Sequence, residues 1–206
     1  DASHEMRTPL AVMKLAVQGL QEDEDSRLSD FAKESVNMLQ SESERLSRLT
    51  ENLMTLARSD EDILPVYTAQ VDITALCKKV ASQMSLLTAE KKQEIQDNLV
   101  MQGDEMALSR LLIILLDNAM KYSPEQTQIT LRAAKVKTHL VLDVRDEGFG
   151  ISDEDKQKIF DRVFRVEKAR SRNHGGLGLG LSLALAIVRQ HGGSIKVLDN
   201  KPRGTV

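Results

Sequence analysis

His4 and Glu5 stand side by side near the start of the chain, and Thr8 follows four residues after the histidine. A histidine with one unprotonated ring nitrogen is a nucleophile near neutral pH, and an adjacent carboxylate can fix its tautomer by holding the other nitrogen's proton. On a helix the four-residue spacing puts His4 and Thr8 on one face. Pro9 cannot donate a hydrogen bond to the Glu5 carbonyl, so the helix kinks where the histidine is displayed. Thr8 occupies the place where a zinc protease carries its second histidine, which excludes that metal chemistry. A histidine so placed, taken alone, is an ordinary surface residue.

Three further clusters carry chemistry. The run 175–182, Gly-Gly-Leu-Gly-Leu-Gly-Leu-Ser, leads into an apolar helix. Backbone amides in such a turn approach phosphate oxygens closely, and the helix N-terminus adds positive potential. Leu181 stands where a Walker loop needs lysine, and leucines at 181 and 183 replace the third glycine of a dinucleotide fingerprint. Asp146, Gly148 and Gly150 end an alternating strand, an arrangement that lets a carboxylate accept from an exocyclic amine while the backbone hugs a flat ring. Asn118 and Lys121, three apart at the end of an apolar helix, pair an amide oxygen suited to magnesium with an ammonium suited to phosphate.

The elements that must position these groups follow from periodicity. Met6, Leu10, Met13, Val17 and Leu20 form a narrow helical seam, and Leu28, Ala32, Ser35, Leu39, Glu42, Leu46, Leu49, Leu53 and Leu56 form a second. Two such helices make a hairpin over residues 1–60 that cannot bury both seams alone, so pairing with a second copy as a four-helix bundle is expected. A linker over 61–66 leads to a second domain, 67–206. There the pattern predicts a strand at 66–71, a helix capped by Asp72, a strand at 94–101, a helix over 104–122 and strands at 128–134 and 140–146. A polar loop over 147–179, a helix over 180–191, a Gly192-Gly193 stop and a strand at 194–198 follow. The order favours a mixed sheet with helices on one face.

Composition agrees with two styles of construction. Nine of the 11 glycines fall after Arg145, and the first hundred residues hold only Gly19. A net charge of −3 argues against a nucleic-acid binder, and the single cysteine, Cys77, excludes an intrachain disulfide and points to a reducing cytoplasm. No apolar run exceeds the six residues of 111–116, far too short to span a bilayer, so the piece is expected to be soluble, and its ends read as those of an excised fragment.

Together, His-Glu-x-x-Thr-Pro-Leu, Asn-Ala-x-Lys-Tyr, Asp-x-Gly-x-Gly, Phe-x-x-x-Phe-Arg and Gly-x-Gly-Leu-Gly-Leu-Ser occur in an order that resembles the cytoplasmic core of orthodox bacterial sensor histidine kinases. The resemblance implies an all-α hairpin followed by an α+β sandwich of the gyrase, Hsp90 and histidine-kinase ATPase type. It implies that His4 is the phosphoacceptor, with Glu5 as its proton acceptor and Thr8 orienting water for dephosphorylation of the partner. Asn118 would ligate Mg²⁺, and Lys121 and Tyr122 would contact the nucleotide. Asp146 would read the adenine amine beside Gly148 and Gly150. Gly176, Leu177, Gly178, Leu179 and Gly180 would belong to a mobile ATP lid pinned by Phe160 and Phe164, and Arg165 would reach the γ-phosphate. The implied cofactors are ATP and Mg²⁺. The implied partners are a second copy of the chain and a response-regulator receiver domain, and the membrane enters only through parts absent from this piece of a cell-membrane protein. One position departs: Ile114 stands where the family often carries an asparagine one turn before Asn118.

Overall fold

The computed structural model describes residues 69–85, 91–124, 127–166 and 178–206, together with positions 11, 13, 15, 17, 33, 35–41, 43, 46, 47 and 50. The chain divides into two compact units, Asp1–Asp62 and Ile63–Val206.

The described positions of the first unit are helical. Val17, Val36 and Ser43 are buried, whereas Met13, Leu39 and Leu46 are 49%, 62% and 43% exposed. Val36 and Ser43 are seven residues apart, one place beyond Ser35 and Glu42 of the predicted seam. Val17 is covered on the predicted first seam, whereas in the second series the covered line runs beside the predicted one and its described leucines, Leu39 and Leu46, remain exposed. An apolar row left open at heptad spacing needs a further helix to cover it.

Elements of the second unit are numbered from its own start. Strand β1 (Ala69–Asp72) pairs antiparallel with β3 (Val100–Gly103), Ala69 opposite Gly103. Strand β2 (Lys91–Ile95) runs parallel to β4 (Ile129–Val136), which forms an antiparallel hairpin with β5 (His139–Arg145). The result is a two-stranded sheet beside a mixed three-stranded one in the order β2-β4-β5. Helices α1 (Ile73–Ser85) and α2 (Glu105–Tyr122) pack on the three-stranded sheet, and α3 (Gly180–Gln190) packs on α2.

Local chemistry sets the helix starts. The Asp72 carboxylate accepts from the Ala75 amide at 2.9 Å and opens α1. Asp104 does the same for α2, accepting from Met106 and Ala107 at 2.9 and 3.0 Å. Helix α2 stops because Pro124, two residues beyond Tyr122, cannot continue it. Ile73, Leu76 and Val80 of α1, Leu108, Leu112 and Leu116 of α2, Leu131 and Ala133 of β4, and Leu183 and Ile187 of α3 form the core. Cys77 is fully buried among them, and that burial pushes its thiol pKa up to about 11, so it acts as a small apolar side chain.

Two strand predictions change. The strand expected over 94–101 is two strands belonging to different sheets, with Asn98 in the turn between them at φ 58°. Non-local bonds enforce the break: the Thr74 hydroxyl donates to the Gln96 carbonyl and accepts from the Leu99 amide, and the Ile73 amide donates to the Leu99 carbonyl. The segment thus wraps the start of α1. No strand forms over 194–198. Leu198 and Val206 exchange two backbone bonds and Asp199 bridges Thr205, a pairing too short to extend into a ladder.

Candidate functional site

The C-terminal half of α2 is where the predicted residues gather. At its end, the carbonyl of Tyr122 lies so close to Gly148 that a Cβ at 148 would stand 2.5 Å from the Tyr122 oxygen and 2.8 Å from Asp146 Oδ1. Only a glycine admits that approach. Asp146 follows directly on β5, and its Oδ1 accepts from the Gly148 amide at 2.7 Å and the Thr205 amide at 3.2 Å. Both bonds converge on one oxygen, which leaves Oδ2 to accept from a ligand. Partial burial raises the Asp146 pKa above the ordinary aspartate value, and the two backbone donors oppose that rise.

The wall behind Asp146 comes from residues the sequence did not bring to notice. Asn200 Nδ2 donates to the Asp146 carbonyl at 2.8 Å, and the Asp146 amide donates to the Thr205 carbonyl at 2.9 Å. Gly204, at φ 108°, lies against the same peptide: a Cβ there would sit 2.7 Å from the Asp146 carbonyl carbon and closer still to its oxygen. The signal that could have found it is the Pro-x-Gly turn at 202–204 after an alternating segment. Gly204→Ala is expected to cost about 2 kcal/mol of stability in urea melts, through left-handed strain and an unavoidable clash. Gly150, at φ 72°, borders the same wall, its Cβ position 3.6 Å from the Gly204 oxygen.

A second cluster lies one to two turns earlier on α2. The Cβ position of Gly180 is 3.4 Å from Ile114 Cγ2 and 4.0 Å from Asn118 Nδ2, so α3 begins beside the Asn118 side chain. Ile114 therefore serves as apolar support for the start of α3, which explains why a polar side chain is not needed there for packing. Lys121 is ion-paired with Asp117 one turn back, both about a third to two-fifths exposed. The pair keeps the ammonium close to the helix surface, and the exposure keeps its exchange with another anion cheap. The Val163 amide donates to the Gly178 carbonyl at 3.1 Å, and the Cβ position of Gly178 falls against Val163 and Phe164, so the middle of the 147–179 loop meets its C-terminal end. Phe160 ends a short 3-10 turn, Lys158–Phe160, that packs on α3. Phe160, Phe164 and Arg165 are half-buried and Leu179 is buried.

Of the predicted nucleotide residues, Tyr122, Asp146, Gly148 and Gly150 form one cluster. Asn118 and Gly180 form another with Ile114, and Phe164 and Gly178 meet where the middle of the loop returns to its C-terminal end. Gly176 and Leu177 lie outside the described residues, as do His4, Glu5 and Thr8. Among the described residues no group of acidic, histidine or cysteine side chains could hold a metal on its own. No described helix is long and apolar enough to cross a membrane.

Comparison with known proteins identifies the family. Residues 103–206 match the family described as histidine kinase-, DNA gyrase B-, and HSP90-like ATPase, and residues 1–62 match the His Kinase A (phospho-acceptor) domain. The sensor protein CiaH of Streptococcus pneumoniae serotype 4 is 39% identical over the whole of this chain, which spans 47% of that relative. BaeS of Escherichia coli K12, a signal transduction histidine-protein kinase, is 33% identical, with 44% of its length covered. The chain thus spans less than half the length of these relatives. Among solved structures, full-length ShkA in complex with AMPPNP superposes with a TM-score of 0.83 at 25% identity, covering 99% of this chain and 43% of that one. A mycobacterial sensor histidine kinase, MprB, superposes with a TM-score of 0.59 at 28% identity over 67% of this chain and 92% of its own. With a phospho-acceptor domain in its first unit and the ATPase domain in its second, the chain belongs to the sensor histidine kinase family.

Proposed function

We propose that the second unit binds Mg-ATP and that the γ-phosphoryl group passes to His4 and then to an aspartate of a response-regulator receiver domain. The observation that carries the reading is the Asp146 carboxylate, held on one oxygen by two backbone amides with its other oxygen open beside the Gly148 approach. Such a group accepts from the exocyclic amine of adenine while glycine backbone flanks the ring. Asn118 and Lys121 are assigned to the phosphate end, Asn118 as the Mg²⁺ ligand. The ion supplies charge neutralisation on the phosphates when bound. Gly178 and Gly180 join the root of a lid to the start of α3, whose amides favour an anion. The AMPPNP bound by ShkA supports an adenine nucleotide as the ligand.

In the transfer, a ring nitrogen of His4 forms a bond to the γ-phosphorus and the bond from that phosphorus to the bridging oxygen breaks. ADP leaves with the electron pair, and Glu5 accepts the proton from the other ring nitrogen. Thr8 is assigned to orienting water in the reverse service, dephosphorylation of the regulator. Incubation with γ-labelled ATP tests the reading: the chain should gain label that is lost in acid, as expected of a phosphorus–nitrogen bond. Nucleotide bound without labelled protein would favour a dimeric regulatory scaffold instead.

The first unit is assigned to a homodimer. Leu39 and Leu46 stay exposed at heptad spacing in one protomer, and a second copy covers them in a four-helix bundle. Leu39→Asp is expected to halve the mass seen by light scattering, and an unchanged dimer mass would show that this row does not carry the contact. The chain is read as the cytoplasmic portion of a membrane-anchored sensor.

A further inference from the structure

His191 caps the C-terminus of α3 and binds two elements at once. Its Nε2 accepts from the Asp104 backbone amide at 3.0 Å, and its Nδ1 lies 2.8 Å from the Ile187 carbonyl. A backbone N–H can only donate and a carbonyl can only accept, so the ring is the neutral tautomer with its proton on Nδ1. The ring also fills the space over Gly103, where a Cβ would meet His191 Cδ2 at 3.0 Å. Asp104 is the residue whose carboxylate opens α2. A single side chain therefore ties the end of α3 to the beginning of α2.

The opposite ends of the same two helices carry the chemistry. Gly180 opens α3 beside Ile114 and Asn118 of α2, so the helices run antiparallel, pinned by His191 at one end and meeting at Asn118 at the other. Fourteen residues separate Asp104 from Asn118, about 21 Å of helix at 1.5 Å per residue. A tilt of about 3° at the pinned end displaces the far end by about 1 Å, a misplacement large enough to matter at a phosphate site.

We propose that His191 is a positioning residue for the nucleotide site: its two ring bonds set the angle of α3 against α2 and so the distance between Asn118 and the root of the lid. This rests on the nucleotide-binding reading above. The imidazole sits at the far end of the two helices from Asn118, and its effect travels through them.

The test measures affinity for a fluorescent ATP analogue with Mg²⁺ on the 206-residue chain, at a temperature where every variant is folded by circular dichroism. Binding by the unaltered chain supports the nucleotide-binding part of the functional reading, and its absence would overturn that part and this proposal together. His191→Phe fills the space without the two bonds and should weaken affinity on the order of tenfold. His191→Gln keeps one acceptor and one donor and should restore affinity to within about twofold. Gly103→Ala pushes on the ring without removing it and should weaken binding in the same direction by a smaller factor. Nitrogen-15 NMR of the unaltered chain should show His191 with its proton on Nδ1. Affinity unchanged in His191→Phe, with only its melting temperature lowered, would reduce His191 to a structural residue and overturn the proposal alone. Failure of His191→Gln to rescue, or a proton found on Nε2, would overturn it equally.

Discussion

His4→Gln incubated with Mg²⁺ and γ-labelled ATP should gain no label above background, a loss of at least about 100-fold against the unaltered chain. Glutamine preserves size and polarity but offers an amide nitrogen whose lone pair is delocalised into its carbonyl, so nothing on the side chain can attack phosphorus. Nucleotide affinity should be unchanged, because the groups assigned to binding all lie in the second unit. That split separates a lost acceptor from a damaged binding site. Label that persisted in the variant would place the phosphoryl group on another residue, label that resisted acid would place it on a hydroxyl, and either would remove His4 from the mechanism.

Asp146→Asn should weaken nucleotide binding by about 100-fold or more while leaving the empty protein at least as stable. The Gly148 and Thr205 amides both aim at Oδ1, so an asparagine keeps its carbonyl oxygen there and turns its NH₂ to where Oδ2 stood. A donor then faces the donor amine of the base. Loss of a bond to a charged group plus that opposition is worth about 3 kcal/mol, or roughly two decades in affinity. The stability effect has the opposite sign. Partial burial raises the folded-state pKa of Asp146 above its unfolded value, so as pH rises the unfolded chain gives up this proton first and stability falls through that interval. The substituted amide, which does not titrate, carries no such cost. Without nucleotide, the variant should melt at or slightly above the parent at about pH 7, and the difference should vanish at pH values below the unfolded aspartate pKa. A variant that melts lower at neutral pH and binds normally would contradict both halves.

The parts of the second unit that could be read in advance are those fixed by neighbours in sequence. Asp104 before an apolar-periodic run, and Pro124 after it, define α2 to within a residue or two, and that places Asn118 and Lys121 on its last turns. Alternation over 140–145 likewise delivers Asp146 to a strand end. What could not be read depends on partners far along the chain. Residues 94–101 look like one strand because nothing local reveals that the Thr74 hydroxyl will hold Gln96 and Leu99 around the start of α1. Asn200, Gly204 and Thr205 carry no local sign of their role because their partner is the Asp146 peptide, 54 to 59 residues earlier. Heptad spacing in the first unit shows that a row will be buried, but not which of two adjacent rows it will be. Val36 and Ser43 take that place while Leu39 stays open.

The long reach between Asp146 and Thr205 has a consequence during synthesis. At about 5 to 20 residues per second, a ribosome takes about 3 to 12 s to travel from one to the other. Through that interval Asp146 lacks the Thr205 amide, the Asn200 amide and the Gly204 backing. A growing chain therefore lacks the backing of the candidate receptor for a base until residues 200–205 dock on the Asp146 peptide. On the proposed reading, nucleotide occupancy therefore reports that residues 200–205 have docked on the Asp146 peptide.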